Sequence, residues 1–265
     1  MKNPDVKKVL LQYAASVQDE QVAVLLSGGI DSSSIMFALL EAGKKVTAYS
    51  FMLDGVMSTD FMLAKRNAKT FGCAFVPVFL PSDVAQLQSD LIFLRDIGAH
   101  KKTDYECGWP MIHAYAQVQE RVVFSGMGAD GHFCISKKGM LHWRDKIDAF
   151  RTALYTSRSY AQKPIHERLA SINGKATVMP YLTKEMQSEF LGTSWDQVNK
   201  PKQKQPILNA FPRQFAKMKV LPHTNLQLGD SKIAEHFKKL LATKWNRGGF
   251  VSPVGIYNLL NKGKI

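Results

Sequence analysis

Cysteine is scarce in this sequence. Cys73, Cys107 and Cys134 are odd in number, widely spaced and never form Cys-x-x-Cys. That argues against a disulfide framework or a cysteine-rich zinc site and makes a reducing cytoplasm the expected compartment. Long apolar runs are also missing. None approaches the ~20 residues that cross a bilayer, so no membrane association is expected. Residues 1–5 lack the apolar segment of a signal peptide. The seven histidines never pair at i, i+4 and form no His-Glu-x-x-His, which leaves no zinc-protease pattern. There is no internal repeat and no low-complexity tract.

Acidic residues are few in one half only. Residues 1–133 hold 12 Lys+Arg against 14 Asp+Glu, whereas residues 134–265 hold 23 against 8, a net +15. Such an asymmetry suggests a polyanion near the second half, either nucleotide phosphates or a nucleic acid, although a solvated lysine-rich surface has the same composition. A hydrophobic fraction of 45% over 265 residues suits one large domain, or a domain with a substantial second lobe.

The chain is organised around residues 21–37. Val22, Ala23, Val24, Leu25 and Leu26 form a continuous apolar run that suits a strand buried on both faces. Ser27, Gly28 and Gly29 break it, and a helical spacing follows through Ile35, Met36, Leu39 and Leu40. A strand, a glycine turn and a helix aim backbone N–H groups and a helix N-terminus at an anion. Ser27, Ser32 and Ser33 add hydroxyl groups, and Asp31 adds a carboxylate that can hold Mg²⁺ against phosphate charge. No Gly-Lys-Ser/Thr follows, so this is not a Walker A loop, and it is not Gly-x-Gly-x-x-Gly either.

Further along, apolar runs at 45–53, 74–80 and 121–124 read as strands. Helical spacing appears at 5–16, 33–42, 59–71, 82–95 and 110–119. Pro77 places the third strand at an edge or makes it irregular. Alternating strands and helices predict an α/β fold with a doubly wound parallel sheet, its ligands lying beyond the carboxyl ends of the strands. A second glycine turn, residues 125–131, follows the fourth strand and should lie beside the first. Asp130 would then face Asp31 to complete a metal site. After residue 133 the pattern becomes mostly helical, at 143–155, 183–190, 206–215 and 232–244. Residues 199–205 (Asn-Lys-Pro-Lys-Gln-Lys-Gln) read as a mobile basic loop. The expected division is a core at 1–133 and a helical, basic acceptor lobe at 134–265.

The order Ser27-Gly28-Gly29-x-Asp31-Ser32 resembles the PP-loop of the ATP pyrophosphatases (HUP-like fold). Together with Ser125-Gly126-x-Gly128-Ala129-Asp130 it resembles the synthetase domain of asparagine synthetase and of β-lactam synthetase. Tyr49-Ser50-Phe51 and, more loosely, Met179-Pro180-Tyr181-Leu182 extend the likeness over roughly residues 5–230. The resemblance implies ATP with Mg²⁺, the adenine lying near Leu26, Leu53, Ser125 and Gly126. A substrate oxygen, typically a carboxylate, would be adenylated with release of pyrophosphate, and an amine would then displace AMP to form an amide. His132, directly after the second loop, is a further catalytic candidate facing substrate, with a structural histidine as the alternative.

The departures from the family concern the acceptor. Met127 and Gly131 stand where it carries glutamates, and His223-Thr224-Asn225 aligns with its Arg-x-Lys segment, leaving no lysine. The family's glutaminase domain with its cysteine nucleophile is not seen ahead of the first motif, where residue 2 is Lys, and a separate ammonia donor is left open. Cys107-Gly108-Trp109-Pro110 falls where the family binds its amino acid. Trp143, Arg144, Lys146, Arg151 and Arg158 interleave aromatic and basic residues as a nucleic-acid surface does. The leading expectation is an amide ligase. The alternatives are a PP-loop enzyme acting on a tRNA or DNA base, and a nucleotide-binding relative without turnover.

Overall fold

The computed structural model describes residues 3–157, 160–219, 231–242 and 253–264. Its first half runs α1 (Val6–Ser16), β1 (Gln21–Leu25), α2 (Ile30–Glu41), β2 (Lys45–Leu53), α3 (Thr59–Thr70), β3 (Ala74–Leu80), α4 (Val84–Asp96), α5 (Lys102–Gln117) and β4 (Val122–Ser125). The second half runs α6 (Lys137–Trp143), α7 (Ile147–Thr156), α8 (Lys163–Ile172), β5 (Ala176–Val178), α9 (Lys184–Phe190), α10 (Trp195–Asn199), α11 (Gln205–Ala210), α12 (Pro212–Phe215), α13 (Ile233–Ala242) and α14 (Pro253–Asn261). Among the described residues no helix is long and apolar enough to cross a membrane.

The five strands are parallel, in the order β3-β2-β1-β4-β5. The chain winds outward from β1 through β2 to β3, then returns to the other side of β1 for β4. The order reverses between β1 and β4, which opens a crevice at their carboxyl ends. Leu25 is level with Ser125, so both glycine turns leave the sheet side by side. Val22, Ala23 and Val24 are wholly buried, because helices cover both faces as a parallel sheet requires. One core joins β1 side chains to α1, α2, α9 and α11, and the other joins the opposite faces of β1 and β2 to α4, α5, α8, α13 and α14.

The expected doubly wound sheet is therefore present, and Pro77 lies on edge strand β3. Three expectations need correction. Helix α5 begins at Lys102, eight residues before Pro110, which it carries inside. The Asp104 carboxylate caps its start by accepting from the Lys101 and His100 N–H groups at 3.0 and 3.2 Å, and burial of Tyr105 and Trp109 outweighs the proline. The helix expected at 206–215 breaks at Phe211, because the residue before Pro212 is kept out of helical geometry. Strand β5 has only three residues, too short to show a period of its own.

Candidate active site

The first turn is shaped by its neighbours. Leu26 donates its N–H to the Tyr49 carbonyl at 2.8 Å, extending the sheet by one residue before the chain turns. Gly28 has φ +77°, and a Cβ there would lie 2.8 Å from the Ala64 nitrogen and the Leu63 Cβ. Helix α3 thus fixes a glycine at 28 whether or not a ligand is bound. Gly29 is the open position, since a Cβ there would approach only the Ser27 hydroxyl, at 3.4 Å. Ser32 Oγ accepts from the Ser27 N–H at 3.1 Å and lies 3.1 Å from the Ser27 hydroxyl, holding the turn over the positive end of α2. Ser33 is fully buried at the start of α2, and its hydroxyl has no hydrogen-bond partner among the described residues. Leu26 and Leu53 are likewise buried, in opposite cores.

The second turn meets the first backbone to backbone. A Cβ on Gly126 would lie 2.7 Å from the Ser32 nitrogen and 2.8 Å from the Asp31 carbonyl carbon. Ser125 Oγ accepts from the Met127 N–H at 3.2 Å. Gly128, at φ +90°, packs against Leu182, and its carbonyl accepts from the Tyr155 and Tyr160 hydroxyls at 3.3 and 3.2 Å. A Cβ on Gly131 would collide with the Tyr160 hydroxyl. That tyrosine fills the space beside Gly131 into which a longer side chain would have to grow.

The two carboxylates converge. The Lys204 ammonium lies 2.6 Å from Asp31 Oδ2 and 2.5 Å from Asp130 Oδ1, so one small cation reaches both aspartates at once. Lys204 is itself 4% exposed. Burial alone would lower its pKa, but the carboxylates of Asp31 and Asp130 outweigh it and the net shift is upward, so the amine is held charged. Its backbone sits at φ +60°, a left-handed conformation that costs a non-glycine residue about 1–2 kcal/mol. The Asn199 side chain supports this arrangement, accepting from the Lys204 N–H at 3.4 Å and donating to the Phe133 carbonyl at 2.9 Å. Residues 199–205 are therefore a strap tied to the second turn and not a mobile basic loop. Lys202 is exposed on it while Lys204 is buried.

The sequence offered no signal that separates Lys204 from its neighbouring lysines. Tyr155 and Tyr160, which line the second turn, were equally silent.

Several other expectations change. His132 is wholly buried, its ring stacked between Tyr155 (4.7 Å) and Phe190 (4.3 Å). Its Nε2 donates to the Tyr181 carbonyl at 2.8 Å, and burial pushes its pKa down to about 3. It is a neutral packing residue and not an acid–base group. Arg151 is also buried, donating to the carbonyls of His132, Phe190 and Thr193 and to Asp148. Arg144 pairs with Asp196 at 2.8 Å and lies over the Trp195 ring. Burial takes Arg151 out of the basic face considered for nucleic acid, while Arg144 and Lys146 are exposed, and Arg158 lies outside the described residues. Cys107, by contrast, lies partly buried inside α5, where burial raises its thiol pKa to about 12, as suits an inert packing cysteine. Trp109 of the same segment packs under α13 against Phe237 and His236, so it forms core and not a substrate wall. The aligned segment His223-Thr224-Asn225 lies outside the described residues.

The family model for asparagine synthase matches residues 8–247. The chain belongs to the asparagine synthase family. Over 57 residues it is 42% identical to the 7-cyano-7-deazaguanine synthase of Desulfatibacillum aliphaticivorans, a match covering 22% of this chain. The chain spans about a quarter (24%) of that relative's length. It is also similar to the crystal structure of a predicted subunit of tRNA methyltransferase from Methanocaldococcus jannaschii, with 14% identity, 77% of this chain and 93% of that one covered, and a TM-score of 0.37. Members of the asparagine synthase family use ATP.

Proposed function

We propose that the chain is an AMP-forming ATP-dependent ligase that adenylates a substrate oxygen, most simply a carboxylate, and passes the activated group to an amine to form an amide. The convergence of Asp31 and Asp130 on one cation position carries this reading. Two carboxylates within reach of one small cation fit a hard divalent ion such as Mg²⁺, which takes few protein ligands and fills its shell with phosphate oxygens and water. When bound, Mg²⁺ would supply neutralisation of polyphosphate charge at the point where pyrophosphate leaves.

The protein's own groups do the rest. Around Gly29, the N–H groups and the positive end of α2 receive the phosphates. Ser27 and Ser32 hold that turn in shape. In the first step the substrate oxygen bonds to the α-phosphorus and the bond to the β-phosphate bridge breaks, pyrophosphate leaving with the electron pair. In the second, the amine nitrogen attacks the acyl carbon, loses a proton, and AMP departs with the substrate oxygen. The first half of the chain serves ATP, and the second half receives the acceptor. Met127 and Gly131, standing in place of the family's glutamates, support an acceptor other than free aspartate.

The nucleic-acid-base reading retains the +15 charge of residues 134–265 as its support. A steep fall of activity with salt would favour it.

The test uses the purified chain with Mg²⁺, ATP, ammonium and pooled carboxylate metabolites labelled with ¹⁸O. Equimolar AMP and pyrophosphate with ¹⁸O in the AMP are expected, and aspartate alone should yield no asparagine. ADP and phosphate as products, or ATP binding without turnover in any pool, would contradict the reading.

A further inference from the structure

We infer that Lys204 is a resident counter-ion of the Asp31–Asp130 pair, and that a divalent cation enters this site only by displacing it, so that metal binding waits for nucleotide. The inference rests on reading the two aspartates as a metal pair. Lys204 Nζ is within 2.6 Å of both carboxylates. A Mg²⁺ bound to the same two oxygens, at about 2.1 Å from each, would sit no more than about 4.7 Å from the ammonium. In a setting of reduced dielectric, two cations that close repel strongly, and one must yield.

Several features keep the lysine in place without nucleotide. It is almost wholly buried, it bridges two carboxylates, and the Asn199 side chain accepts from its N–H and ties the strap to the Phe133 carbonyl. A free divalent ion therefore competes with an intramolecular cation that is always present. Nucleotide phosphates change the balance, since they bring negative charge and further oxygen ligands for the metal. They also give the displaced ammonium a new anionic neighbour. Lys204 would thus prevent the site from filling with metal alone, and would keep the two carboxylates from repelling each other in the empty enzyme.

Mn²⁺ binding measured by electron paramagnetic resonance tests this, with and without α,β-methylene-ATP. In wild type, Mn²⁺ should bind weakly alone and tightly with the nucleotide analogue. Lys204→Met should bind Mn²⁺ without nucleotide about tenfold or more tighter than wild type, and adding Asp130→Asn should abolish that gain. Lys204→Gln, which is neutral but keeps a hydrogen-bond donor, should behave likewise. If either variant folds poorly, Mn²⁺ alone should raise its melting temperature while leaving wild type unmoved. Equal nucleotide-free affinity in wild type and both variants, with nucleotide-dependent binding retained, would overturn the counter-ion role and leave the metal pair standing. Absence of Mn²⁺ binding in every protein, even with the analogue, would overturn both.

Discussion

The first turn and the 199–205 strap deliver charged groups to the same point by opposite routes. The turn is local: strand, two glycines and helix follow one another within a dozen residues, and Asp31 is placed by the first turn of α2. The strap is not. Lys204 reaches Asp31 across 173 positions of chain, at the start of a short helix, with a left-handed backbone and an asparagine tether. Local hydrogen-bonding and conformational rules write the first arrangement into consecutive residues, while the second exists only once the sheet has brought α2, the second turn and α11 together. The carboxylates belong to the local part, and the cation that balances them belongs to the assembled fold.

The contrast breaks most visibly at the glycines. Gly126→Val places side-chain carbon against the backbone of Ser32 and Asp31, where nothing flexible can yield. We expect the upper part of the ~1–3 kcal/mol that overpacking costs, or more, together with loss of ATP binding. Gly28→Val should be similarly destabilising through α3. Gly29→Ala meets only the Ser27 hydroxyl and should change stability by less than about 0.5 kcal/mol. It should nevertheless weaken α,β-methylene-ATP binding by about tenfold, because its methyl group intrudes on the approach of the phosphates. Thermal melts and calorimetry separate the two outcomes. Unaltered nucleotide affinity in Gly29→Ala would reduce this turn to a structural element.

Much of the architecture was legible in the sequence because it rests on short-range pattern. Buried strands read as apolar runs, Pro77 announced its edge, and two glycine turns after two strands pointed to one crevice. What escaped was decided by tertiary packing. Pro110 stands inside α5 because the Asp104 cap and the buried Trp109 hold the helix before it, and the buried Met111, Ala114 and Tyr115 hold it after. His132 follows a catalytic-looking turn, yet the chain coils at once into a 3-10 turn (Ala129–His132) that buries the ring between Tyr155 and Phe190. Arg151 shares a helix with solvated residues, but its place on α7 makes it the buried donor for three carbonyls. Burial of a polar side chain depends on which element lands on it, and no residue spacing states that.

A smaller effect sharpens the distinction between site and support. His132 and His166 are buried neutral, with pKa values pushed down by burial from 6.5 to about 3 and about 4. Below pH 6.5 the unfolded chain takes up protons that the folded chain refuses, so stability is full above that pH and falls as the pH drops towards 4. The slope should approach ~1.4 kcal/mol per pH unit for each histidine. His132→Phe should remove about half of that slope in urea melts between pH 6.5 and 4, whatever it does to stability at neutral pH. An unchanged slope would mean that His132 is not held neutral.

The central claim is that Asp31 and Asp130 form one cation-binding pair serving ATP cleavage. It is tested most directly by the rate of pyrophosphate release from Asp130→Asn at saturating Mg²⁺ and ATP, with an acceptor that supports turnover in wild type. The substitution preserves the shape of a half-exposed side chain but removes one of the two carboxylates that balance the buried Lys204 charge, so the melting temperature should fall and the rate is read at a temperature well below it. The rate should fall on the order of 10²–10³-fold, and Asp31→Asn should match it. Pyrophosphate release at close to the wild-type rate would show that the paired carboxylates are not the seat of the chemistry.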